Sequence, residues 1–151
     1  MARKAHQMTD FAVSTGAAVT DPPVVDGGYV RGTPKTLLRL EGATVLVCAT
    51  FAFSEVSGNW LQYALLFFVP DISMLAYLFG RRTGTTLYNV AHSYLAPAIL
   101  ILCGHLGDLP LALSAGLIWI AHIGFDRAAG YGLKYGTAFA DTHLGRVGRS
   151  R

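Results

Sequence analysis

A chain of 151 residues holds one domain and is short for two. Hydrophobic residues make up 52% and charged residues only 14%, against the roughly 25% charged of a soluble globular domain. The net charge of +3 comes from basic residues flanking apolar stretches, a topology signal; with no nucleic-acid-binding motif, nucleic acid is excluded as a partner.

Residues 1–35 are rich in Gly, Pro, Thr and Asp, as in Asp21-Pro22-Pro23 and Asp26-Gly27-Gly28, and read as a flexible cytoplasmic tail. Ser14, Thr15 and Gly16 interrupt the run from Phe11 to Val19, so it lacks the apolar core of a signal peptide. Four apolar segments follow, at 37–56, 60–79, 85–103 and 109–126. Each approaches the roughly 20 residues that cross a hydrocarbon layer about 30 Å thick. Backbone in lipid must satisfy its own hydrogen bonds, so helices are expected. The predicted fold is all-α: a four-helix transmembrane bundle over 36–129, then a cytoplasmic tail, 130–151, able to fold back on the bundle.

The connections 57–59, 80–84 and 104–108 are brief, which makes neighbouring helices antiparallel. Arg31, Lys35, Arg81, Arg82, Arg127, Lys134 and Arg146 then share one side, while the opposite loops near Glu55 and Asp108 carry no Lys or Arg. The positive-inside rule places both chain ends in the cytoplasm. The expectation is a multi-pass protein of the inner (cytoplasmic) membrane, with the lipid bilayer as partner and homo-oligomers open. Cys48 and Cys103 fall inside predicted spans, away from any ligand spacing, and read as packing residues.

Ionisable side chains inside a span cost several kcal/mol unless paired, so each marks a candidate site. They are Arg39 and Glu41 in the first span, Asp71 in the second, His92 in the third, and His122 with Asp126 in the fourth. At 1.5 Å per residue, Glu41 lies roughly 6 Å from the inner end of its helix, Asp71 roughly 14 Å and His92 roughly 12 Å. His122 is about 7 Å from Arg127, with Asp126 near the interface. All six therefore fall in the same half of the membrane.

His122 and Asp126, at i and i+4, share a helical face, as do Asn89 and His92 at i and i+3. Pro70 precedes Asp71 and is positioned to bend the second helix towards the others. Two imidazoles with two carboxylates suit zinc, manganese or iron better than calcium or copper(I). Asp71, His92, His122 and Asp126 are the expected metal ligands. Glu41 is expected to be a further ligand or a general base, and Arg127 to steady an anionic group. Against this stands a structural clamp in which Arg39 and Arg127 neutralise the acids with no metal. Asn89 reads as an interhelical hydrogen-bonding residue, and Asp141 and His143 as part of a solvated tail. Trp119, Phe67 and Phe68 read as lipid-facing or packing residues.

The strings Arg39-Leu40-Glu41-Gly42, Asn89-Val90-Ala91-His92-Ser93-Tyr94 and His122-Ile123-Gly124-Phe125-Asp126-Arg127, then Gly130-Tyr131-Gly132-Leu133-Lys134-Tyr135, occur in order. With them, residues 36–148 resemble a small family of bacterial integral-membrane proteins known as a domain of unknown function. That resemblance implies a multi-span fold and no particular activity. His92-Ser93 and the His122–Asp126 pair are also similar to membrane-bound metal-dependent hydrolases, without their longer His-rich pattern.

The leading expectation is a metal-dependent membrane enzyme, hydrolase-like, acting on a lipid-borne or amphipathic substrate. The alternatives are non-enzymatic: a haem module with His92 and His122 as axial ligands, a small transporter titrating Glu41 and Asp71, or an accessory subunit with a structural polar core.

Overall fold

A computed structural model describes residues 28–147, and the first 27 residues, with the expectation of a flexible tail there, lie outside it. Helix α1 (Gly32–Val56) starts a full turn before the apolar run. It ends where the Ser57 and Gly58 N–H groups both donate to the Phe53 carbonyl. Asn59 caps α2 (Trp60–Phe67), its side chain accepting from the Gln62 N–H at 3.1 Å.

The second segment does not run as one α-helix. After Phe68 it tightens into a 3-10 helix, Val69–Phe79, with Pro70 in its first turn. Proline has no N–H to give the preceding turn, so the α-helical ladder breaks there. Gly80, at φ 110°, turns the chain directly into α3 (Arg81–Ala91). The third segment is also discontinuous: α3 stops before His92, and α4 (Leu95–Leu106) begins after Tyr94. Pro97 lacks the N–H that would bond back to the Ser93 carbonyl, which removes the support for a continuous helix.

Helix α5 (Pro110–Ala129) opens on proline and closes on Gly130 in the left-handed conformation, whose N–H donates to the Arg127 carbonyl at 3.1 Å. It is the central element: Ser114, Gly116, Ile118, Ala121, His122, Ile123 and Gly124 are all buried. Its neighbours approach closely over small residues. A Cβ on Gly124 would stand 2.7 Å from the Leu46 nitrogen of α1, and one on Gly104 of α4 would stand 2.5 Å from the Leu113 nitrogen. Such contacts are how helices associate where apolar burial offers no advantage over lipid.

The result is an all-α bundle with large apolar side chains facing outwards, Leu78 and Phe79 each 82% exposed. Three segments, Gly32–Val56, Trp60–Phe79 and Arg81–Leu106, are long and apolar enough to cross a membrane. The predicted fourth span is helical, yet α5 is not among them. His122, Asp126 and Arg127, gathered near its end, lower its mean hydropathy below that of the others. This is an integral-membrane architecture whose central, mostly apolar helix carries the polar residues of the cluster.

Beyond α5 the chain packs against the bundle. The strands β1 (Asp141–Thr142) and β2 (Gly145–Arg146) pair antiparallel, and Leu144 between them is fully buried. Asn89 fastens this segment: its amide donates to the Lys134 carbonyl (2.9 Å) and its oxygen accepts from the Lys134 N–H (2.7 Å). The expected interhelical partner of Asn89 is therefore replaced by backbone of the C-terminal segment. Arg81 holds the same segment through the Thr137 carbonyl.

Candidate metal centre

The breaks in the second and third segments place two of the four predicted ligands. Asp71 sits in the first turn of the 3-10 helix, and His92 terminates α3. His122 and Asp126 come from one face of α5, a turn apart. Donor atoms of all four lie within 4.8 Å of one another. His92 Nε2 stands 3.2 Å from His122 Nε2, 3.4 Å from Asp71 Oδ1 and 3.5 Å from Asp126 Oδ2. His122 Nε2 is 3.6 Å from Asp71 Oδ1 and 3.9 Å from Asp126 Oδ2. Four donors about 2.0–2.2 Å from a tetrahedral ion stand roughly 3.3–3.6 Å apart, so the group fits a divalent metal.

The surroundings turn both imidazoles inwards. His92 Nδ1 lies 2.9 Å from the Tyr88 carbonyl, which can only accept, so that nitrogen carries the proton and Nε2 is free for a cation. The Tyr88 ring stacks on His92 at 3.8 Å, and Phe67 meets the His122 ring edge-on at 5.2 Å. His122 Nδ1 is buried without a hydrogen-bond partner among the described residues. The Tyr88 hydroxyl makes a long contact, 3.5 Å, with Asp126. Asp71 is the open side of the cluster, its side chain 37% exposed. Both carboxylates flank the two Nε2 atoms at 3.4–3.9 Å, in contrast to the apolar surroundings of a haem pocket.

Arg39 and Glu41 do not join the four candidate ligands. Arg39 Nε donates to the Ala128 carbonyl at 2.8 Å, satisfying the end of α5 rather than an acid. Glu41 lies behind the centre, lining a separate pocket with Arg127, Tyr94 and His143. Arg127 bridges the two regions: Nη2 donates to the His92 carbonyl at 3.2 Å, and Nη1 lies 3.3 and 3.4 Å from the ring nitrogens of His143.

His143 is half-buried and hydrogen-bonded, where its place in the tail suggested a solvated position. Its Nδ1 accepts from the Leu133 N–H at 2.9 Å, and burial with the Arg127 guanidinium holds its pKa below the ordinary histidine value. Asp141 remains outside the site, accepting from the Thr137 hydroxyl and facing Arg146.

Trp119, expected to face lipid or pack, and Lys134, expected only to mark the basic side, both take part around the centre. Trp119 donates to the Ala91 carbonyl at 2.7 Å, closing the end of α3 beside His92. Lys134 is buried, with Nζ 3.3 Å from the Phe139 ring centre and 4.3 Å from that of Tyr88. Burial pushes its pKa down to about 8. The i, i+4 spacing of Tyr88 and His92 was the one legible hint of the stacked pair.

No curated protein and no solved structure matches the chain. The family model DUF4260, described as a domain of unknown function, matches residues 35–147, a stretch that includes all four candidate ligands and the segment packed beneath them. The chain belongs to the DUF4260 family.

Proposed function

We propose that Asp71, His92, His122 and Asp126 hold one divalent ion (zinc, manganese or iron) and that the protein is a metal-dependent membrane enzyme, hydrolase-like, working from the cytoplasmic side. The observation that carries this reading is the convergence of four donor atoms at near-tetrahedral separations, 3.2–3.9 Å for the five pairs given above. Two imidazole nitrogens and two carboxylates turned towards one point need a cation or several protons to coexist in a dry interior. When bound, such an ion supplies a Lewis acid that polarises a carbonyl or phosphoryl oxygen.

The exposed edge of Asp71 leaves the centre accessible from one side, as a catalytic site requires. Arg127 is assigned to an anionic group of the substrate and Glu41 to accepting its protons, the substrate being lipid-borne or amphipathic. The same reading has α5 cross the bilayer with the three apolar segments around it, both chain ends facing the cytoplasm.

Elemental analysis of the detergent-purified chain beside a His92→Ala/His122→Ala variant tests the ion. Near one metal per chain, lost in a still-helical double variant, is the expected result. A wild-type chain that takes up no zinc, manganese or iron on reconstitution ends the reading.

One observation favours a second reading. Four protein donors already complete a tetrahedral shell, the pattern of structural metal sites. The ion would then pin the broken helices together in a non-enzymatic protein. Metal removal would lower the melting temperature in both cases, but hydrolysis of ester or phosphoester amphiphiles is expected only of the enzyme.

A further inference from the structure

The pocket behind the metal centre has about 280 Å³ and four polar side chains on four different segments: Glu41 of α1, Tyr94 at the break between α3 and α4, Arg127 in the last turn of α5, and His143 of the hairpin. It holds both signs of charge. Among the described residues Glu41 and Arg127 make no ion pair with each other, although both face this one space.

Arg127 is held in place by what it touches. The His92 carbonyl takes Nη2, and the His143 ring lies against Nη1. A Cβ on Gly42 would meet Arg127 Cβ at 2.5 Å, so the glycine is what lets the guanidinium stem lie against α1. Among the described residues no carboxylate lies within ion-pair distance of this half-buried guanidinium, which makes it a strong site for an oxyanion. With His143 Nδ1 occupied by the Leu133 N–H, its proton sits on Nε2, beside Arg127. Glu41 lines the same space and offers the complementary acceptor.

The position restricts the ligand further. The pocket lies at the basic end of the bundle, where Lys35, Arg39 and the hairpin gather. Leu38 and Val45 complete its lining, and Leu37 and Leu40 on the same helix are exposed. A membrane headgroup would find its charges matched inside and its chains covered outside.

We propose that this pocket binds a zwitterionic ammonium–phosphate headgroup, the phosphate on Arg127, His143 and Tyr94 and the ammonium N–H groups on Glu41. It deepens the roles given to Glu41 and Arg127 above by naming their substrate class, and as a binding site it stands apart from the metal ligands. A trimethylated ammonium cannot donate to Glu41, and a glycerol phosphate brings no cation, so the site separates three common headgroups.

Native mass spectrometry of the full chain, offered equal amounts of phosphatidylethanolamine, phosphatidylcholine and phosphatidylglycerol, reads this directly. Phosphatidylethanolamine is expected to be retained about ten-fold over either competitor, the worth of one charge-assisted hydrogen bond. Glu41→Gln should abolish that preference without altering metal content, and Tyr94→Phe should lower retention of all three lipids. Soluble phosphoethanolamine forms a separate arm. Displacement at matched concentration would assign the same chemistry to a free metabolite, and failure to displace would assign it to the lipid. Equal retention of the three lipids by the wild-type chain, or an undiminished preference in Glu41→Gln, overturns the proposal. The His92→Ala/His122→Ala variant keeps the two hypotheses apart: lipid preference should survive in it even where metal is lost.

Discussion

At the scale of residues, the structure separates two groups that a depth argument treats alike. Asp71, His92, His122 and Asp126 share one centre, whereas Glu41 and Arg127 face a neighbouring pocket. Asp126→Asn keeps the shape of its side chain and removes one of the two negative charges. Its metal affinity, measured by competition with a chromophoric chelator, is expected to fall by more than the roughly 10–100-fold that loss of an outer-shell partner costs. Glu41→Gln in the same assay should leave affinity unchanged; a comparable loss would make Glu41 a ligand. The four clustered residues were legible as a candidate centre because ionisable residues are rare in apolar segments and conspicuous where they occur. The partners of Arg39 and Asn89 were not legible, since both reach backbone carbonyls, which leave no mark in a sequence.

At the scale of elements, close helix approach decides the geometry of the centre. Gly124 lies between His122 and Asp126 and lets α5 press against α1, with its missing Cβ 2.8 Å from the Gly42 carbonyl oxygen. Gly124→Ala forces backbone apart rather than a flexible side chain. A loss of about 1–3 kcal/mol is expected, read as a lower melting temperature in detergent, with weaker metal binding alongside. The second and third segments show the other device. Pro70 and Pro97 interrupt helices in lipid, where irregular backbone survives only against protein or a polar cavity, and the interruptions sit beside Asp71 and His92. Proline positions were visible from the start, and a bend at Pro70 was expected. That α3 would end at His92 was not, because the cause lies five residues further on, at Pro97, and in the Trp119 bond to Ala91.

At the scale of the whole molecule, the C-terminal segment is a base plate under the bundle. Lys134 is its buried charge, and burial pushes it from 10.5 down to about 8. Between roughly these values the docked state binds fewer protons than the undocked one, so docking should strengthen as pH rises through that window. Amide exchange of residues 130–147 at pH 7.5 and 9.5, corrected for intrinsic rates, should show greater protection at the higher pH. Lys134→Met should flatten the difference. Topology belongs to the same scale. If α5 crosses the bilayer, tags at the two chain ends will be modified from the same side of intact vesicles, and opposite-side labelling would leave only the three apolar crossings.

The sequence by itself determined three of the four stretches apolar enough for lipid, and that two histidines and two aspartates fall in the same half of the membrane. Placing a residue in one half of a span needs only its distance from the segment's end; its exact height does not follow, since the stretch carrying Asp71 winds into a 3-10 helix. Rotation about each helix axis, the points where helices break, and the path of the chain after Gly130 were decided by tertiary structure. Those depend on which glycines let backbones meet, which carbonyls a distant side chain reaches, and where the hairpin finds room for Leu144. That is why the residues of the His/Asp cluster could be picked out one by one, while the pocket shared by Glu41, Tyr94, Arg127 and His143 emerged only when four separate segments were brought together.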